Sequence, residues 1–286
     1  MRGKYSIIAR EASFPKIRYN GGMAELLISP SNPLIKQARL LRQKKARVET
    51  DLFLVEGIHH VGEAVEAGWD IQSVLYAPDL LTSDFARELV ARLEQKKIRV
   101  QPVSAAVMDL LAEKDNPTGL IAVVSQRAQT LNGFPATDIS SALALVSPQD
   151  PGNVGSILRT MDAVGADALF LLDGGVDEYH PSVIRASMGT VFWKPILRAS
   201  FGEFVAWARA SGLQLIGASA HADTDYRSAD VARPWALVLG SEQKGLSASQ
   251  MEACDLTVSL PMRGRASSLN LSVAAGVLLY EFSAVT

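Results

Sequence analysis

Four short, largely apolar runs mark the second half of the chain: Ala142 to Val146, Ala168 to Leu172, Leu213 to Ala218 and Ala236 to Leu239. Segments of helical spacing separate them. Strands that are apolar at consecutive positions must be covered on both faces, and helical crossovers between strands keep them parallel. The pattern predicts an α/β domain on a mostly parallel sheet. Such sheets bind ligands outside the carboxyl ends of their strands, so the loops after these runs are where chemistry is expected.

The first half is organised differently. Residues 1 to 22 hold no sustained period and end in Asn20-Gly21-Gly22, which reads as an extension with Met23 as a candidate natural start. Asn32 offers a cap, Pro33 suits a first helical turn, and Leu34, Ile35, Ala38 and Leu41 recur at helical spacing, so a basic amphipathic helix follows. The run Leu52 to Val55, a helix from Ile58 to Ala67 closed by Gly68, and a strand from Ile71 to Tyr76 come next. A helix over Phe85 to Leu93, extended chain at Ile98 to Val100 and a strand over Leu120 to Val124 complete a small α/β domain, residues 23 to 127. Gln126 to Ser141 mixes turn-forming residues without a period; a linker is placed at 128 to 140 and the second domain at 141 to 286. A chain of 286 residues accommodates two domains.

Composition narrows the function. Charged side chains interrupt every apolar run well short of the roughly 20 residues that span a bilayer, and Ile7 to Ala9 is too short for a secretory core. Cys254 is the only cysteine, which fits a reducing, cytoplasmic setting. None of His59, His60, His180 and His221 has a second ligand at metal-binding helical spacing, so no metal is expected. The net charge of −2 hides a basic excess in the first 130 residues and an acidic excess in the rest. Lys36, Arg39, Arg42, Lys44, Lys45 and Arg47 form the densest basic stretch. They are either a polyanion contact or a solvated helix face.

Three loops at strand ends carry candidate chemistry. Ser147 to Thr160 places Asn153 as a cap for a helix starting at Val154, with Arg159 six residues on. Six residues of helix turn through about 600°, so the two side chains do not share a face. Gly240 to Ser247 contains Glu242 between Gly240 and Gly245, a spacing that suits either close backbone approach to a ligand or a plain turn. Leu260 to Asn270 ends in Ser268-Leu269-Asn270 before an apolar helix, where capping groups and free N–H groups serve either the helix or a polar ligand. Patterns for dinucleotide binding, phosphate loops and nucleophile elbows are absent from the sequence.

In this order and at these separations the three loops resemble the signature motifs of the SpoU (TrmH-like) branch of the SPOUT methyltransferases. The match covers about residues 140 to 286: Asn153-x-Gly155-x-x-x-Arg159, Gly240-x-Glu242-x-x-Gly245, and Leu260-Pro261-Met262 through Ser268-Leu269-Asn270. The segment from Asn32 through Phe53-Leu54-Val55-Glu56-Gly57 resembles the ribosomal-protein-like RNA-binding domain that precedes the catalytic domain in many of these enzymes. The resemblance implies a trefoil knot, a homodimer joined by the helix after Asn153 and the C-terminal helix, and S-adenosylmethionine as methyl donor without a metal. It assigns the backbones of Gly240, Leu260 and Leu269 to the adenine pocket, adds Ser219, Leu239, Gly245 and Met262 to the cofactor set, and places Asn153, Arg159, Glu242, Ser268 and Asn270 in the catalytic set near the reacting hydroxyl. The implied activity is methylation of a ribose 2′-hydroxyl, in 23S ribosomal RNA ahead of transfer RNA. The remaining alternatives are a non-catalytic RNA-binding protein and an enzyme that methylates a base instead of the ribose.

The same resemblance suggests Arg159 as proton acceptor. A guanidinium stays protonated at neutral pH, so the expectation here is that Arg159 binds the adjacent phosphate and stabilises developing alkoxide charge. The proton then leaves to water or to Glu242.

Overall fold

The structure is a computed structural model that describes residues 25–113, 117–127, 129–131 and 133–284; the expected extension over 1 to 22 and Met23 lie outside these. In the N-terminal domain the order is α1 (Pro33–Leu40), α2 (Lys44–Thr50), β1 (Leu52–Glu56), α3 (Ile58–Glu66), β2 (Ile71–Tyr76), α4 (Asp84–Gln95), β3 (Arg99–Pro102), α5 (Ala105–Leu111) and β4 (Leu120–Ser125). Its four strands lie in the order β1-β4-β2-β3, with β4 antiparallel to both neighbours and β3 parallel to β2.

The basic stretch, expected as one helix, is two. Asn32 caps the first, its Oδ1 accepting the Leu34 N–H at 2.9 Å, and the chain turns at residues 41 to 43 before α2 begins. The turn sends Arg47 inward. Its side chain is 1% exposed, because Leu41 and Arg42 at the turn present carbonyls that its guanidinium can bind. Arg47 therefore leaves the expected RNA-binding set.

The second domain runs β5 (Ser141–Val146), α6 (Pro151–Val164), β6 (Ala168–Leu172), α7 (Pro181–Ala186), β7 (Ile196–Ala199), α8 (Phe201–Ala210), β8 (Gln214–Ala218), β9 (Thr224–Asp225), β10 (Trp235–Leu239), α9 (Ala248–Glu252), β11 (Leu256–Ser259) and α10 (Leu271–Ser283). Its seven strands form one sheet in the order β7-β6-β5-β10-β8-β11-β9, with every pairing parallel. Every residue of β5, β6 and β10 is buried. Alternate residues face opposite layers: Leu143, Leu145, Leu169, Leu171 and Leu237 pack with α6, α7 and α10, while Ala142, Ala144, Phe170, Leu172 and Val238 pack with α8. This is the period-2 geometry of a strand covered on both sides. β7, β9 and β11 were not legible as apolar runs; each has four residues or fewer and is largely half-buried.

The segment expected as a linker is docked. Leu131 and Phe134 pack under the α8 layer, and Thr130 bridges to Arg198 on β7. The two domains also share one core, since Phe53, Val55 and Val61 belong to the same buried cluster as Leu158, Tyr179 and Phe192. Trp69 meets Phe192 edge-on at 5.5 Å and donates Nε1–H to its carbonyl at 2.7 Å.

Candidate active site

Helix α6 begins earlier than its sequence suggested. Pro151 occupies the first turn, and Asp150 is the cap, its Oδ1 accepting the N–H groups of Gly152 at 2.6 Å and Asn153 at 3.0 Å. Proline brings a preset φ and no N–H to that position, which moves the start of the helix ahead of Asn153. Asn153 is consequently a buried side chain within the first turn rather than the cap.

That burial gives Asn153 another use. Its Nδ2 donates to Glu242 Oε1 at 3.1 Å, and its Oδ1 accepts from Asn270 Nδ2 at 3.0 Å. Glu242 lies in the loop after β10, and its carboxylate also accepts the backbone N–H groups of Gln149 at 3.0 Å and Asp150 at 3.1 Å. A helix N-terminus favours a negative charge placed there. Partial burial pushes the Glu242 carboxyl up, but hydrogen bonds from its own backbone, from Asn153, and from the Asp150 and Gln149 N–H groups outweigh burial and hold it below the usual carboxylate range. Asn270 caps α10, its Oδ1 accepting the Ser272 N–H at 2.9 Å and the Ser272 hydroxyl at 2.7 Å. One asparagine thus ties the three loops together. Gln149, Asp150 and Ser272 were missed in the sequence; Asp150-Pro151 was the available signal for the first two.

Gly240 is explained by its own loop. A Cβ there would lie 1.9 Å from the Gly245 carbonyl carbon, because the chain folds back to bond the Gly245 N–H to Ser241 O at 2.9 Å. Gly245 itself adopts φ +63°, so both glycines are required by the turn. Leu239 is buried, Leu260 and Met262 are half-buried, and Leu269 is 41% exposed. Among the described residues, the backbone groups of Gly240, Leu260, Met262 and Leu269 take no part in the turn and loop hydrogen bonds that bind their neighbours. Ser219 differs: its N–H donates to Val258 O at 3.0 Å and its hydroxyl accepts from His221 N–H at 3.2 Å.

Arg159 stands apart from the cluster. It is exposed on α6, about 9 Å along the axis from Asn153 by helical rise. Neither it nor the exposed Ser268 bonds to Asn153, Glu242 or Asn270. On the N-terminal domain Lys36, Arg39, Arg42, Lys44 and Lys45 are all exposed. Among the described residues no group of three or more His, Cys, Asp or Glu side chains could hold a metal ion, and no helix is long and apolar enough to cross a membrane.

An all-parallel sheet with a polar cluster at its carboxyl edge, joined to a smaller sheet whose helices present a row of cations, is the arrangement expected of an α/β protein that binds a polyanion. Residues 140–280 match the SpoU rRNA Methylase family and residues 32–122 the MRM3-like substrate binding domain. The chain is 36% identical over 248 residues to 23S rRNA (uridine(2479)-2′-O)-methyltransferase of Streptomyces viridochromogenes, covering 85% of this chain and 86% of that protein. It is 29% identical to 23S rRNA (guanosine(2553)-2′-O)-methyltransferase RlmP of Bacillus subtilis, covering 88% and 97%. The AdoMet-bound rRNA methyltransferase structure from Sinorhizobium meliloti superposes with a TM-score of 0.82 at 34% identity, covering 91% and 98%. The chain belongs to the SpoU rRNA methylase family.

Proposed function

We propose that this chain transfers a methyl group from S-adenosylmethionine to a ribose 2′-hydroxyl of 23S ribosomal RNA. The observation that carries the reading is the link from Glu242 through Asn153 to Asn270, which gathers the three motif segments at one edge of the sheet. The relatives in Streptomyces and Bacillus, named for this chemistry on 23S rRNA, support ribosomal over transfer RNA. Work on ribosomal RNA goes with a cytoplasmic site of action.

The residues fit the cofactor. Adenine recognition needs backbone donors and acceptors beside apolar side chains; among the described residues Gly240, Leu260 and Leu269 have backbone groups outside the turn and loop hydrogen bonds, and Leu239 and Met262 lie within two residues of them in the chain. S-adenosylmethionine brings an electrophilic methyl on a positive sulfonium. The protein's task is to align the acceptor hydroxyl and stabilise the charge it develops. Glu242 is occupied as the anion that holds the α6 N-terminus against the loop after β10, and its lowered pKa makes it a poor base. The hydroxyl proton therefore goes to water. Arg159, a permanent cation on an exposed face, binds the phosphate beside the target ribose and steadies the alkoxide, and the exposed Ser268 hydroxyl serves the acceptor ribose. Asn270 positions the cleft through its two side-chain bonds rather than acting on substrate.

The reading includes a homodimer and a trefoil knot. Supporting the first, Val273, Val277 and Tyr280 form an exposed apolar stripe on α10, packed beside α6, with Val273 50% and Tyr280 61% exposed. The second rests on the resemblance of the three motif segments to those of the SPOUT methyltransferases. Lys36, Arg39, Arg42, Lys44 and Lys45 deliver the RNA through phosphate contacts. Labelled S-adenosylmethionine offered with 23S rRNA and with transfer RNA tests the proposal. Label on 23S rRNA is expected; label on transfer RNA, or no cofactor binding by calorimetry, would contradict it.

A further inference from the structure

Arg47 sits in the densest basic stretch, yet it faces away from solvent. Its Nε and Nη2 both bond Asp177 Oδ2, at 2.8 and 2.7 Å, and its Nη1 donates to the carbonyls of Leu41 and Arg42 at 2.9 Å each. One guanidinium therefore fixes the turn between α1 and α2 and attaches it to the other domain. Asp177 is equally constrained, its Oδ1 accepting the Tyr179 N–H at 2.9 Å.

The loop that carries Asp177 follows β6 and lies directly on the first motif loop. Val176 N–H donates to Pro148 O at 2.9 Å, Ser147 Oγ donates to Asp173 O at 3.1 Å, and a Cβ on Gly175 would fall 2.3 Å from Pro148 O. The next residue, Gln149, gives its N–H to Glu242. Lys44, one of the exposed cations, reaches the same loop, donating to Gly175 O at 3.3 Å. The route from the basic helices to the cluster thus runs from Asp177 to its chain neighbour Val176, across a backbone bond to Pro148, and through the Gln149 N–H to the Glu242 carboxylate.

Adhesion of the domains does not require the ion pair. Phe53, Trp69, Tyr179 and Phe192 already bury an apolar seam, and buried ion pairs add little stability over apolar partners of similar shape. What the pair adds is direction. We infer that Arg47 and Asp177 are positioning residues that hold the RNA-docking helices in register with the first motif loop and so fix which nucleotide is presented for methylation. This rests on the proposed RNA methylation. A displacement of about 1 Å in presentation is enough to change rates by about two orders of magnitude.

The full chain carrying Arg47→Met with Asp177→Asn tests the inference: no unpaired buried charge remains, and the Asn carbonyl still accepts the Tyr179 N–H. Four readouts separate the possibilities: thermal unfolding, S-adenosylmethionine affinity by calorimetry, kcat and KM on 23S rRNA, and the methylated nucleotide mapped by primer extension. The inference expects cofactor affinity and KM to stay within a few-fold, kcat to fall at least about tenfold, and methyl to appear at neighbouring nucleotides. Arg47→Lys, which keeps the charge and loses the fork, should give the same redistribution at smaller size; it carries the test if the double variant does not fold. A wild-type methylation site at wild-type kcat in the folded fraction of either variant overturns the inference. If the wild-type chain itself fails to bind cofactor or to methylate 23S rRNA, the functional reading falls, and the positioning role falls with it.

Discussion

The loop cluster and the domain seam hold the molecule together by opposite means. At the cluster, Asn153, Glu242 and Asn270 meet through a few hydrogen bonds at a surface where residues 263 to 270 are all exposed. At the seam, Phe53 is completely buried against Trp69 and Tyr179, and Arg47 joins Asp177 inside the same contact. The cluster leaves backbone groups uncommitted, as a ligand site must, whereas the seam commits Phe53, Tyr179 and Phe192 to buried packing. The site is therefore ordered by polar groups resting on a frame with a shared core, so substitutions in the two regions should fail differently.

Phe53→Ala should produce the largest effect. A Phe-to-Ala truncation in a packed core costs about 3–5 kcal/mol, and because the core is shared, calorimetry should show both domains unfolding in one transition at lower temperature. Two separated transitions would mean that the seam is only an apposition. Arg159→Ala comes next and should reduce kcat by about 10²- to 10³-fold, the scale of losing one charge-stabilising donor. Cofactor affinity should hold within twofold, and Arg159→Lys should recover part of the rate. Equal loss of cofactor binding would place Arg159 in the cluster after all.

Glu242→Gln should have a moderate effect, about 1–3 kcal/mol, as charge-assisted bonds to Gln149, Asp150 and Asn153 become neutral or lose a partner. The sign with pH follows from the lowered Glu242 pKa. Its stabilisation is present above the unfolded value near 4.5 and disappears as pH falls through the lower folded value. The variant should therefore lose the corresponding part of the acid unfolding limb, which pH-dependent unfolding curves would reveal. Arg39→Ala should do least: RNA affinity weakens about equally for different sequences, and the salt dependence loses about one counterion. An unchanged salt slope would remove Arg39 from the RNA face.

What was legible in the sequence follows from the same contrast. β5, β6 and β10 could be read because strands buried on both faces are apolar at consecutive positions, and the three motif loops through their joint resemblance to the SpoU signature motifs. Asn153 was mistaken for a cap because its actual partners, Glu242 and Asn270, lie 89 and 117 residues away. Arg47 looked like its neighbours because local composition holds no record of Asp177, 130 residues on. β7 and β11, short and only partly buried, offered no run to find.

The proposed role of the loop cluster is to present a ribose hydroxyl for methyl transfer. Mass spectrometry of nuclease-digested 23S rRNA, after reaction with S-adenosylmethionine bearing a deuterated methyl, tests it most directly. The heavy methyl is expected on the sugar fragment of a single nucleotide and is expected to be lost with Arg159→Ala. Heavy methyl on the base fragment, or undiminished labelling by Arg159→Ala, would contradict it.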